Sequence, residues 1–134
     1  MKNIEIKIVN LKNRLKKVCC KETANPSCRE DWYPTNPFLG HCAIVTAIAY
    51  KKFGGDIMRG VIAESGLSHY WNRIDGKDYD LTKEQFDGKP ITLTDIQVSS
   101  VERILNNEQT LYRYHLLLST LENLPEESND SPKI

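Results

Sequence analysis

Ile4, Ile8, Leu11, Leu15 and Val18 return at steps of four and three, which predicts an amphipathic helix over residues 3–22 with a narrow apolar stripe. Residues 23–39 break that rhythm. Asn25-Pro26-Ser27 and Tyr33-Pro34-Thr35-Asn36-Pro37 disfavour helix and bias each residue before a proline toward an extended shape, so this stretch reads as a long, structured approach to Cys42. From Cys42 to Tyr50 the chain is small and apolar almost all round, Lys51 and Lys52 come next, and Gly54-Gly55 supplies a stop. A helix apolar on every side belongs at the centre of its domain.

The pattern then changes period. Ile57 to Ala63 and His69 to Ile74 are β-prone runs, Asp75-Gly76 is a strong hairpin signal, and Lys77 to Leu81 returns as the next strand. Thr82 to Phe86 reads as a capped helical turn, with Thr82 as cap and Gln85 three residues on. Ile91 to Val98 is expected to be extended, and Ser99-Ser100 carries a serine cap for a short helix through Leu105. Gln109 to Leu124 places Leu111, Tyr114, His115, Leu118 and Leu121 on one helical face. Beyond Pro125 apolar anchors are lacking, which predicts a disordered acidic tail over residues 125–134 and a single domain over residues 1–124. The expected class is α+β: a central Cys42-bearing helix packed on a small antiparallel sheet and flanked by N- and C-terminal helices.

A chain of 134 residues can bury roughly two thirds of its unfolded surface in one core without covalent staples. The 18 basic and 18 acidic residues cancel, so no net field argues for nucleic acid or an anionic membrane. The charge is uneven, however: residues 1–29 carry eight Lys or Arg against Glu5 and Glu22, a local +6, while residues 120–134 carry four acids against Lys133, a local −3. No aromatics interleave with the early lysines, so a solvated helix face is the simpler account and nucleic-acid binding is not expected. The longest nearly apolar run is far shorter than the roughly 20 residues that cross a bilayer, and the chain is expected to be cytoplasmic. Cys19, Cys20, Cys28 and Cys42 are accordingly expected as reduced thiols.

Chemistry enters through an ordered trio. Cys42 lies two residues after Gly40 at a helix start, where free N–H groups and the helix dipole favour a thiolate. If Asp75-Gly76 forms a two-residue turn, Ile74 pairs with Lys77, Trp71 with Asp80 and His69 with Thr82. Asp80 then lies on the same face as His69, one diagonal away, at roughly 6–8 Å between backbones. A three-residue turn would put it on the opposite face. Nucleophile, base and orienting carboxylate are the parts of a thiol site, so Cys42, His69 and Asp80 are the candidate catalytic residues. Asn36 is a candidate oxyanion donor, and Asn72 is a lesser orienter because its strand parity points away from His69. Trp71 and Tyr70 are candidates to wall a substrate cleft, one of the two being expected in the core, with Trp32 as a further aromatic for that wall. His41 is expected to be exposed and is assigned no role. Each residue also has an ordinary reading, since cysteine is a common small core residue and a strand histidine is usually structural.

No C-x2-C or H-x3-H spacing suggests zinc and no Gly-rich phosphate loop is present, so neither metal nor cofactor is expected. Trp32-Tyr33-Pro34-Thr35-Asn36-Pro37, Gly40-His41-Cys42-Ala43, Ser68-His69-Tyr70-Trp71-Asn72, Asp80-Leu81-Thr82 with Gln85-Phe86, and Arg113-Tyr114 resemble the motifs of the YunG family of small bacterial proteins over roughly residues 30–120. Most members of that family carry Gln where His41 stands. The order of Cys42, His69 and Asp80 is similar, in turn, to that of papain-like and transglutaminase-like thiol enzymes, which implies a hydrolase or acyltransferase acting on an amide or ester of a peptide or small molecule. The competing expectation is a non-enzymatic binding module that keeps this architecture and uses the basic first helix as its contact surface. Neither substrate nor oligomeric state is legible in these residues.

Overall fold

The computed structural model describes residues 3–125. Helix α1 spans Asn3–Val18, and its apolar stripe buries Ile8, Leu11, Leu15 and Val18. The helix stops short of the expected residue 22, because Thr23 draws the chain into a 3-10 turn over Lys21–Thr23 by accepting a 3.1 Å hydrogen bond from the Cys20 N–H. A second 3-10 stretch, Pro26–Asp31, starts with Pro26 in its first turn and the Asn25 side chain accepting from Ser27 N–H.

Helix α2, Cys42–Phe53, is the centre of the molecule. Ile44, Val45, Ala47, Ile48 and Ala49 have no exposed surface. The helix packs against the sheet and against two C-terminal helices, α3 (Val101–Ile104) and α4 (Glu108–Glu122). Strands β1 (Asp56–Ile62), β2 (Ser68–Ile74), β3 (Lys77–Tyr79) and β4 (Leu93–Ser99) form one antiparallel sheet in the order β3-β2-β1-β4. Asn72 stitches β2 to α2 by donating its side-chain N–H to Thr46 O at 3.1 Å. The architecture is α+β, with the cysteine-bearing helix against a small antiparallel sheet.

The hairpin has the two-residue turn that the Asp-Gly pair predicts. Asp75 and Gly76 both have positive φ, 52° and 78°, the turn form whose twist matches the flanking strands. Ile74 therefore pairs with Lys77 and Asn72 with Tyr79, so the parity runs as expected, although the regular ladder ends at Tyr79 rather than Leu81. Two other expectations change. Thr82 stands at the start of the 3-10 turn Lys83–Phe86 without capping it, and instead accepts a 2.9 Å hydrogen bond from the Gln85 amide. On α4 the buried residues are Arg113, Tyr114, Leu117, Leu118 and Leu121, while Leu111 and His115 are exposed. That stripe is rotated because α4 must meet α1 and α2 at once. Arg14 of α1 ties this end together by donating to Leu121 O and Leu124 O, at the negative end of the α4 dipole. The expected tail over residues 125–134 lies, from residue 126 on, outside the described residues.

Replacing Ile48 with Ala is expected to lower unfolding free energy by roughly 2–5 kcal/mol, as removal of a fully buried side chain does. The exposed Ile6, changed the same way, should cost under about 0.5 kcal/mol. Urea titrations of the two variants measure the difference.

Candidate active site

The loop that delivers Cys42 is held from behind. Phe38 is fully buried, and the His41 N–H closes a turn on its carbonyl at 3.0 Å. Gly40 follows with φ 76°, and a Cβ there would come within 3.0 Å of Asn25 N and of Cys28 Cβ. Only glycine fits this close, left-handed passage. The Asn25 N–H in turn bonds Gly40 O at 2.8 Å. Cys42 thus emerges half-buried as the first residue of α2.

His69 is brought to it by β2. Only 1% of this residue is exposed; its ring stacks on Trp71 with centroids 5.9 Å apart and meets the edge of Phe86 at 5.1 Å. Its Nε2 bonds Asp80 Oδ2 at 2.7 Å, which is the pairing the hairpin parity predicts. The other carboxylate oxygen of Asp80 accepts from Thr82 N–H at 3.3 Å and from the Thr82 hydroxyl at 3.4 Å. With Nε2 engaged, Nδ1 is the ring atom left for the Cys42 thiol, which lines the same cleft. Burial by itself would push the imidazole down. The hydrogen bond that His69 donates to Asp80, then its interaction with Cys42, and the charges of both outweigh it and raise His69 to about 9.

Cys42 and His69 open into a cleft of about 850 Å³. Its aromatic lining comes from Tyr33, Tyr70 and Phe86. Trp71 and Trp32, expected there, are placed elsewhere: Trp71 is 5% exposed beneath His69, and Trp32 turns its indole N–H to Pro37 O at 3.0 Å. The strand parity that puts Trp71 on the His69 face also lays it flat against that ring. Asn36 does line the cleft, with its amide donating to Gln85 O at 3.2 Å. Asn72 lies on the opposite parity, engaged with α2.

Gln85 does more than the sequence suggests. Its side-chain oxygen accepts from Gly40 N–H at 3.4 Å, its amide holds Thr82, and its carbonyl holds Asn36, so one residue joins the cysteine loop to the turn after Asp80. Its place in the Asp80-Leu81-Thr82 motif was the available signal, read there only as a cap. His41 is the larger correction. Expected to be exposed, it has no exposed surface; its Nδ1–H donates to Leu39 O at 2.9 Å, and Nε2 lies 2.7 Å from the Thr23 hydroxyl. Burial is the main cause that lowers His41 to about 4; the Leu39 bond opposes it and the Arg113 charge adds to it.

All four cysteines are free. Burial and the neighbouring Cys20 push the Cys19 thiol well above the usual range, leaving it inert. Arg113 is the other residue that pattern reading missed. It is 3% exposed and donates to Thr23 O at 3.1 Å, to Gln109 Oε1 at 2.7 Å and to Thr110 Oγ1 at 3.3 Å.

The family model "YunG protein" matches residues 7–125. The chain belongs to the YunG family. It is 30% identical over 98 residues to the Bacillus subtilis (strain 168) protein named "Uncharacterized protein YunG", a match that covers 73% of this chain and 83% of that protein. No solved structure matches it. The YunG family match takes in Cys42, His69, Asp80, Gln85 and Arg113, and with them the whole hydrogen-bonded site. Among the described residues, no helix is long and apolar enough to cross a membrane.

The two buried histidines give opposite pH dependences. Unfolded chains protonate His41 near 6.5 whereas the folded protein resists until about 4, so its stabilisation is complete above 6.5 and is lost as pH falls toward 4. That fall is worth about 3 kcal/mol at about 1.4 kcal/mol per pH unit. His69 is raised, so its contribution is complete below 6.5 and is lost as pH rises through about 9. His41→Gln, which keeps one donor and one acceptor without titrating, is expected to flatten the acid limb and leave the alkaline one. Urea midpoints measured from pH 4 to 9 check both limbs.

Proposed function

We propose that this YunG-family protein is a thiol hydrolase or acyltransferase acting on an amide or ester. The observation that carries the reading is the 2.7 Å bond between His69 and Asp80, with His69 and Cys42 lining the same cleft. The cysteine-bearing helix, with histidine on a strand and carboxylate just past the next, is also similar to the arrangement of papain-like and transglutaminase-like enzymes. This likeness of parts supports the assignment.

In this mechanism the thiol proton already rests on His69, and the Cys42 thiolate attacks the substrate carbonyl carbon. The carbonyl oxygen becomes an oxyanion. His41 places no side-chain cap on α2, so the leading N–H groups of that helix are open to the oxyanion, with the Asn36 amide as a second donor from the cleft wall. Collapse breaks the carbon–nitrogen or carbon–oxygen bond, and the leaving amine or alcohol takes the proton from His69. A thioester on Cys42 remains. Water, or an amine or alcohol acceptor, then gives its proton to His69, attacks the thioester and frees the thiol. Asp80 holds the ring in register and stabilises the imidazolium throughout. With His69 raised to about 9, the imidazolium is the resting form at neutral pH, ready to serve the leaving group.

The binding-module reading has weaker support. Lys12 and Lys16 of the basic helix both pair with Glu84, at 2.9 and 3.3 Å, so part of the expected contact surface is engaged within the molecule.

At pH 7, iodoacetamide is expected to label Cys42 at least about tenfold faster than Cys28, with Cys19 unreactive, as peptide mass mapping reads it. His69→Asn should slow Cys42 by about tenfold or more, and p-nitrophenyl acetate should leave an acetyl group on Cys42 of the wild-type chain. Equal labelling of Cys42 and Cys28, unchanged by His69→Asn, would overturn the proposal.

A further inference from the structure

A backbone N–H can only donate, and that of Gly40, two residues before Cys42, sets the direction of every bond in a run that ends at His69. It donates to Gln85 Oε1 at 3.4 Å, so the nitrogen end of that amide is turned away from it, and donates to the Thr82 hydroxyl at 2.9 Å. A hydroxyl that accepts there keeps one hydrogen to give, and Asp80 Oδ1 lies 3.4 Å away to take it. The Thr82 N–H reaches the same oxygen at 3.3 Å. Oδ2 is left for His69 Nε2, at 2.7 Å.

The run joins the two halves of the site by side chains that have little room to move. Thr82 and His69 are each 1% exposed. Gly40 sits in a passage so close that a Cβ would come within 3.0 Å of Asn25 N and Cys28 Cβ. Gln85 itself is half-buried on the wall of the cleft, in the 3-10 turn Lys83–Phe86, and its carbonyl also accepts from the Asn36 amide at 3.2 Å. Phe86, the next residue, meets the His69 ring edge to face with centroids 5.1 Å apart. One short turn thus touches the cysteine loop through Gln85 and the imidazole through Phe86.

We propose that Gln85 is a positioning residue of the thiol site, which by joining Gly40 to Thr82 aims the Thr82 hydroxyl at Asp80 and holds the Cys42 loop in register with His69. This rests on the reading of Cys42 as nucleophile. With Oδ1 occupied by two donors from Thr82, Oδ2 is the oxygen that takes the His69 Nε2–H, and Nδ1 is left for the thiol. An amide suits this place because it accepts at one end, donates at the other and carries no charge. A carboxylate would present two acceptors and draw the Thr82 hydrogen away from Asp80. Bonds in such a run polarise one another, so cutting it at either end removes the benefit of the whole.

The test is a double-mutant cycle read by Cys42 alkylation with iodoacetamide at pH 7 in the full chain. Gln85→Met and Thr82→Val are each expected to slow Cys42 by about fivefold. The double variant should lie within about twofold of the slower single one, because both cut the same run. Effects that multiply to about 25-fold, or Gln85→Met at the wild-type rate, would overturn the assignment. Thr82→Ser, which keeps the hydroxyl, should stay within about twofold of wild type; a serine variant as slow as the valine one shows only packing by the methyl group and rejects the run. Cys19 labelling reports loss of fold. If Gln85→Met exposes Cys19, the isosteric Gln85→Glu takes its place in the cycle, in about 0.5 M salt to screen the added charge; Cys19 exposed in both shows that Gln85 holds the fold rather than the site, and rejects the proposal. Wild-type Cys42 no faster than Cys28 sinks the nucleophile reading itself; a fast wild-type Cys42 that Gln85→Met leaves unchanged sinks only the role of Gln85.

Discussion

Helix α2 has no polar face to offer water along most of its length, and the rest of the molecule is arranged around that fact. Ile44, Val45, Ala47, Ile48 and Ala49 are wholly covered, by the sheet and by the helices that close over it. Burial on every side leaves the helix ends as its outlets. The C-terminal end leaves through Gly54-Gly55 into β1, and the N-terminal end opens on the cleft with Cys42 as its first residue. A side chain at that position combines a rigid mount with access to the cleft.

Rigid mounting required polar groups in places where apolar ones would cost less. Thr23, His41, His69, Asn72, Thr82 and Arg113 are all buried, and each makes at least one hydrogen bond. Gln85 makes two bonds to the cysteine loop and one to Thr82. Networks of this kind hold one geometry well when fully satisfied and are costly when any member is lost. Several of these residues gather at the start of α2, where Cys42 stands, while Asn72 sits under the helix against Thr46.

Much of this was legible in the chain. The two-residue Asp75-Gly76 turn carried the parity argument, because strand side chains alternate with a period of two and a hairpin loop of known length sets which residues face each other. Asp80 could therefore be placed beside His69 from sequence. His41 could not. Its burial depends on Thr23, eighteen residues away in a 3-10 turn, and nothing in the local pattern announces a hydroxyl waiting for an imidazole. The cleft aromatics were misjudged for a related reason. Trp71 has the parity of His69, but whether a ring on that face walls a cleft or lies under its neighbour depends on how the Lys83–Phe86 turn folds over it.

Short-range period and turn chemistry are all that the chain determined alone: the α1 stripe, the all-apolar α2, the antiparallel hairpin, and the position of Cys42 at a helix start. Tertiary structure decided the rest. It rotated the buried face of α4 to meet two helices at once, placed Arg113 inside against Thr23, Gln109 and Thr110, buried His41 as a neutral ring, and made Gln85 the link between the cysteine loop and the carboxylate turn. Those outcomes depend on segments far apart in sequence sharing one interior, where the energy of each polar group is set by neighbours that no local pattern encodes.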